Sequence, residues 1–156
     1  MSPEALSDRL SDLVALVHDL GCQLYWDCQA FGEHPAEDEI VGHFVLPLFV
    51  ALGWPPEKIA VKWRYIDVAV FAALPRSPEN CRFVVEAKSL GSGVEGALEQ
   101  AKGYVASLGV PCDIVVTDGL RYRLYDCRRD YAPVAYANLG RLKRSALDLF
   151  AKLARP

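Results

Sequence analysis

The sequence predicts an α/β protein of the α+β kind, a central mixed β-sheet flanked by helices in the order ααβββαββα. Three observations predict it. The N-terminal third carries apolar residues at three- and four-residue steps, the mark of amphipathic helices. Three short apolar or alternating runs between residues 59 and 88 are bounded by proline and glycine, as strands are. A helical pattern over 94–108 then separates these strands from two more, and a helix between strands of one sheet is what a parallel crossover requires.

Each element has its own signal. Leu6, Leu10, Leu13, Val14, Val17, Leu20 and Leu24 predict a helix over about 3–30, with Ser2 as N-cap and Pro3 at its first position. Gly32 to Pro35 break the chain. A second helix starts near Ala36, with Ile40, Val41, Phe44, Leu48, Ala51 and Leu52 as its apolar stripe, and ends at Gly53 before Pro55-Pro56. Pro47 lies inside this pattern and should kink or divide the helix. Strands follow at Ile59–Trp63, Tyr65–Leu74 and Arg82–Lys88, the last two joined by a turn at Pro75–Pro78. The crossover helix has Val94, Ala97, Leu98, Ala101, Val105 and Leu108 on its buried stripe. Asp113–Thr117 and Leu120–Cys127 are strands around the turn signal Asp118-Gly119. Residues 141–154 form a closing amphipathic helix.

With 156 residues the chain is expected to be a single domain over 1–156, large enough to bury roughly 70% of its unfolded surface. No apolar run approaches the ~18 residues of a membrane-spanning helix, and the acidic N-terminus does not resemble a signal peptide, so a cytoplasmic location is expected. The five cysteines include no C-x-x-C pair, which argues against a thiolate zinc or iron–sulfur site. Net charge is −3, but it is unevenly spread: residues 1–120 hold 8 basic and 17 acidic side chains, residues 121–156 hold 9 and 3. The basic end is compatible with phosphate contacts, through Arg121, Arg123, Arg128 and Arg129, or with a solvated face.

The candidate chemistry centres on Glu86-Ala87-Lys88. Side chains alternate along a strand, so Glu86 and Lys88 share one face while Phe83, Val85 and Ala87 take the other. Alone, Glu86 and Lys88 are compatible with an ordinary ion pair. Asp67 changes that reading. Residues equidistant from a hairpin turn face each other, and the midpoint of 67 and 86 falls within Pro75–Pro78. Two half-buried carboxylates side by side repel, and a hard divalent cation such as Mg²⁺ or Mn²⁺ removes the repulsion. Lys88 would lie beside that ion and any bound phosphate. Glu37, four residues before Val41 and seven before Phe44, is on the inward stripe of its helix and needs a partner. Gln100 and Tyr104, spaced i,i+4, share the edge of the crossover helix.

This ordered set resembles the core of PD-(D/E)XK nucleases. The stretch from Glu37 to Trp54, the segment Phe83–Lys88 and the segment Val116–Asp126 are similar to the N-terminal nuclease domain of type I restriction enzyme R subunits. Gln100-x-x-x-Tyr104 looks like the Q-x-x-x-Y element of RecB-like nucleases. The resemblance covers about residues 36–127. It implies a restriction-endonuclease-like fold and a Mg²⁺- or Mn²⁺-dependent deoxyribonuclease serving restriction, defence or DNA processing. Glu37, Asp67 and Glu86 would be metal ligands, Lys88 the catalytic lysine, and Gln100 and Tyr104 site support or DNA contacts. Ile66 stands where the family's proline would precede Asp67. The chain contains no Walker A sequence, so DNA, a motor or specificity subunit, or a second copy of the chain are the expected partners. The other reading is a catalytically silent DNA-binding or assembly module of the same fold.

Overall fold

The computed structural model describes residues 35–89, 92, 94–139, 141 and 144–156, together with Asp8, Ser11, Asp12 and Ala15. The helix predicted over 3–30 and the break at Gly32 lie outside the described residues, apart from those four positions, which are helical.

The second predicted helix begins after Ala36, whose extended backbone precedes Glu37–Ile40. The division predicted at Pro47 takes a specific form. A π-helical turn, Val41–Val45, is inserted before the α-helix Leu46–Ala51. Proline has no N–H to donate and its ring crowds the carbonyl one turn back, and a widened turn just ahead of it relieves both. The helix buries Ile40, Val41, Phe44, Val45, Leu48, Phe49 and Leu52. It ends at Gly53, with φ of 90°, where the Trp54 amide reaches back to the Phe49 carbonyl at 3.0 Å. Trp54 Nε1 donates to the Leu153 carbonyl at 2.7 Å and so ties this helix to the closing helix, Arg144–Leu153.

Six strands form one sheet in sequence order: β1 Ile59–Trp63, β2 Ile66–Phe71, β3 Cys81–Ala87, β4 Asp113–Thr117, β5 Arg121–Asp126 and β6 Ala132–Asn138. Only β3 and β4 are parallel, and the crossover helix Ala97–Leu108 joins them. The sheet is therefore two three-stranded antiparallel meanders joined along one parallel seam. This is the expected class, a mixed sheet flanked by helices, with one correction to the order: β6 was not predicted. Pro133 argues against a strand, but β6 is an edge, where a missing N–H costs nothing in the ladder, and Pro133 lies opposite Tyr125 at an irregularity of the pairing.

The sheet separates two cores. The helices 37–51 and 144–153 pack on one face with Phe83, Val85, Ala87, Val115, Tyr122 and Leu124. The crossover helix packs on the other with Ala69, Val84, Ile114 and Val116. The β4–β5 turn is pressed beneath the first helix. Gly119 has φ of +92°, and a Cβ there would stand 2.9 Å from Ile40 Cγ2 and 3.3 Å from Phe44 Cγ. Gly119→Ala should therefore destabilise the protein by about 1–3 kcal/mol, read as a lowered urea midpoint with unchanged slope. An unchanged midpoint would mean that the turn relaxes without cost. Among the described residues no helix is long and apolar enough to cross a membrane.

Candidate active site

The register of β2 and β3 runs Val70↔Phe83, Ala69↔Val84, Val68↔Val85. Its next step brings Asp67 opposite Glu86, as the hairpin midpoint predicts, even though a bulge at Val70/Phe71 interrupts the ladder nearer the turn. Both carboxylates are buried, Asp67 to 6% exposure and Glu86 to 1%. Asp67 Oδ2 accepts the Ala87 amide at 2.9 Å, which fixes it against the end of β3. Glu86 Oε1 accepts from Lys88 Nζ at 2.7 Å. Glu86 Oε2 is buried with no hydrogen-bond partner among the described residues.

Lys88 follows the last residue of β3, and its amide continues the parallel ladder to the Thr117 carbonyl at 2.8 Å. Its ammonium stands among elements from both layers. Besides Glu86 it donates to Gln100 Oε1 at 3.0 Å, and Glu37 Oε1 lies 4.0 Å away. Gln100 Nε2 in turn donates to the Tyr104 hydroxyl at 2.9 Å. Glu37 is the least exposed of the three acidic residues in its helical turn. Glu37, Asp67, Glu86, Lys88, Gln100 and Tyr104, drawn from two helices and two strands, thus meet at the carboxyl end of the parallel strands. Open α/β sheets bind ligands at that edge.

Electrostatics reinforce the geometry. Burial raises the Glu86 pKa above its ordinary value; the Lys88 hydrogen bond opposes this, and the charges of Asp67 and Glu37 add to it. Burial works to lower the Lys88 pKa, but the Glu86 hydrogen bond and the surrounding carboxylates outweigh it and hold the lysine charged. A buried carboxylate oxygen without a donor is a costly group, and Glu86 Oε2 is one. An oxygen-rich pair with that oxygen unsatisfied suits a hard divalent cation. Glu37 stands at the rim beside Lys88, and Glu37, Asp67 and Glu86 do not bring one oxygen each within 4.8 Å of one another. A separate trio, Asp113, Asp126 and Cys127, offers ligand atoms within 4.8 Å of one another. Its carboxylates already accept other donors: Asp113 from Arg82 Nη1 at 2.6 Å and the Cys127 amide at 3.0 Å, Asp126 from the Arg128 amide at 2.8 Å.

The two arginines of β5 are placed differently from the six. Arg121 makes two hydrogen bonds to Asp118 Oδ2, at 2.8 Å and 2.6 Å, and Asp118 is buried. Arg123 pairs across β4 with Val116, which itself pairs with Glu86, so it lies on the carboxylate face two strands away. Its guanidinium stands 5.7 Å from the centroid of Tyr136.

Sequence reasoning missed Lys62 and Asp38. Lys62 Nζ lies 2.7 Å from Asp67 Oδ1 and 3.1 Å from Asp38 Oδ1. In the structure the strands ending at Trp63 and beginning at Ile66 are two residues apart, the spacing of a tight hairpin, whereas the sequence pattern starts the second strand at Tyr65 and leaves only Arg64 between them. That hairpin pairs Val61 with Val68 and Trp63 with Ile66, and between these pairs the Lys62 side chain reaches Asp67. What hid it is the turn Arg64-Tyr65, which has left-handed φ of 50° and 69° without glycine or asparagine.

With the geometry established, comparison with known proteins bears on the fold. The structure is similar to a fragment described as an HsdR subunit of a type I restriction enzyme from Vibrio vulnificus YJ016, with a TM-score of 0.52 and 19% sequence identity over 77% of this chain. The likeness is one of fold. The chain spans 25% of the length of that structure. No family model and no curated protein matches the sequence.

Proposed function

We propose that this chain is a metal-dependent nuclease domain that hydrolyses DNA phosphodiester bonds. Asp67, Glu86 and Glu37 would hold Mg²⁺ or Mn²⁺, and Lys88 would act on the water and the scissile phosphate. The observation that carries this reading is the buried Asp67–Glu86 pair with Glu86 Oε2 lacking a donor, beside a lysine held by Glu86 and Gln100. A bound ion would supply Lewis-acid polarisation of a phosphoryl oxygen and a more acidic water. The protein's own part is positioning and charge. Glu86 and Gln100 fix the Lys88 ammonium, the Tyr104 hydroxyl accepts from the Gln100 amide and so orients it, and the ammonium faces negative charge as it builds on phosphate oxygens. The Ala87 amide holds Asp67 Oδ2 in place, and Oδ1, which Lys62 Nζ meets at 2.7 Å, is the oxygen that a metal ion would take.

The test is incubation of supercoiled, linear and single-stranded DNA with Mg²⁺, Mn²⁺ or EDTA. Cleavage that requires the metal supports the reading. No cleavage on any substrate, together with no metal uptake in a titration, overturns it and leaves the silent DNA-binding or assembly module, a reading to which the overall charge of −3 is suited. Restriction or defence as the biological setting rests on the likeness to the HsdR fragment, as do a motor or specificity subunit as partner. Arg123 would serve as a phosphate contact: Arg123→Ala should weaken DNA binding on all sequences alike and reduce the slope of log K against log salt by about 1. An unchanged slope would remove Arg123 from the interface.

A further inference from the structure

Lys62 is held in an unusual way. Its φ of 52° lies in the left-handed region, as do those of Arg64 and Tyr65, so three of four consecutive residues in this hairpin adopt a conformation that side chains ordinarily avoid. Such outliers persist only where the surroundings enforce them. The result here is an ammonium 2.7 Å from Asp67 Oδ1, the oxygen that the Ala87 amide does not use, and 3.1 Å from Asp38 Oδ1. Asp67 is buried while Lys62 is half exposed at 50%, so the lysine can swing into water and the carboxylate cannot.

We propose that Lys62 is the resident counter-cation of Asp67, which it releases when a divalent ion binds, so that Lys62 sets the metal affinity of the site. The inference rests on the reading of Asp67 as a metal ligand. In the metal-free protein two buried carboxylates face each other with Glu37 at the rim, and Lys88 Nζ satisfies one oxygen of Glu86 only. Lys62 supplies the second positive charge. A Lys62 ammonium that stayed in place would occupy an oxygen the ion needs and would repel the ion, so it must withdraw. Asp38, on the rim and exposed, offers it a second anchor at the edge of the site. This makes the metal-free form quiet rather than unstable, and it makes occupancy depend on the metal level.

Calorimetric titration of Mn²⁺ into wild type, Lys62→Met and Arg64→Met tests it. Arg64 carries the same charge on the same hairpin but lies over the Trp63 ring, 4.9 Å from its centroid. Lys62→Met should bind Mn²⁺ about tenfold more tightly than wild type, while Arg64→Met should match wild type. Wild-type binding with no gain in Lys62→Met overturns the inference and leaves the metal reading standing, and an equal gain in Arg64→Met reduces it to a net-charge effect and also overturns it. If neither wild type nor Lys62→Met binds Mn²⁺, the metal reading and this inference fall together. A second measurement needs no variant. Amine acylation read by mass spectrometry should label Lys62 faster in Mg²⁺ than in EDTA, with Lys102 unchanged as an internal reference, and equal rates at Lys62 count against its release.

Discussion

Replacing Lys88 with alanine is expected to lower the rate of DNA cleavage by about 10²–10⁴-fold, the range typical of a positioned proton-transfer or charge-stabilising group. The lysine is hydrogen-bonded to both Glu86 and Gln100, so on the proposed reading the loss removes the group that would meet the phosphate rather than a peripheral contact. Two further readouts separate this from general damage. Metal affinity should be retained or improved, because a positive charge leaves the site while the carboxylates stay. In EDTA the variant should lose about 2 kcal/mol of stability, since Glu86 is left buried without its partner, and the partial exposure of Lys88 keeps this below the loss expected for a fully buried pair. Cleavage that persists in Lys88→Ala would exclude Lys88 from the chemistry whatever its geometry.

Glu86→Gln should separate function from stability in the opposite direction. Metal affinity should fall on the order of a hundredfold or more and cleavage with it, because the substitution removes the central anionic donor. The metal-free fold should gain at neutral pH. Burial holds the Glu86 pKa above its ordinary 4.5, with the Asp67 and Glu37 charges adding to it. A carboxyl whose folded pKa is raised contributes its full stability below the unfolded value, and that contribution is lost as pH rises through the folded value. Glutamine does not titrate. Melting temperatures in EDTA should therefore nearly coincide at about pH 4 and separate above it, with Glu86→Gln the more stable at about pH 8. Wild type pulling ahead as pH rises would show that the Lys88 ion pair outweighs burial.

The two carboxylates were legible in the sequence because a hairpin's register follows from symmetry about its turn, and Asp67 and Glu86 are symmetric about Pro75–Pro78. Helical phase puts Glu37 on the inward stripe with Ile40, Val41 and Phe44, but its side chain is 41% exposed: it stands in the first turn of the helix, at the rim beside Lys88 rather than in the core. Gln100 and Tyr104 were legible as a pair from their spacing, but not the bond from Gln100 to Lys88, which depends on how the crossover helix settles on the sheet. Lys62 was not legible because its strand turns on a left-handed pair that propensity rules reserve for glycine and asparagine. Asp38 lies off the apolar stripe of its helix, and the Lys62 ammonium draws it to the site. β6 escaped because Pro133 reads as a strand breaker in any context that does not reveal an edge.

The division of the sheet into two meanders also sets an order of events as the chain folds. Each meander pairs neighbours in sequence, so its loops close at small entropic cost, whereas the β3–β4 seam waits for the whole crossover segment. Asp67 and Glu86 both belong to the first meander and face each other as soon as it forms. The last backbone bond of Lys88, to Thr117, spans the seam, and Gln100 arrives with the crossover helix. On this order a chain still folding would hold its acid pair without its positioned lysine, and the set would be complete only when the seam has closed.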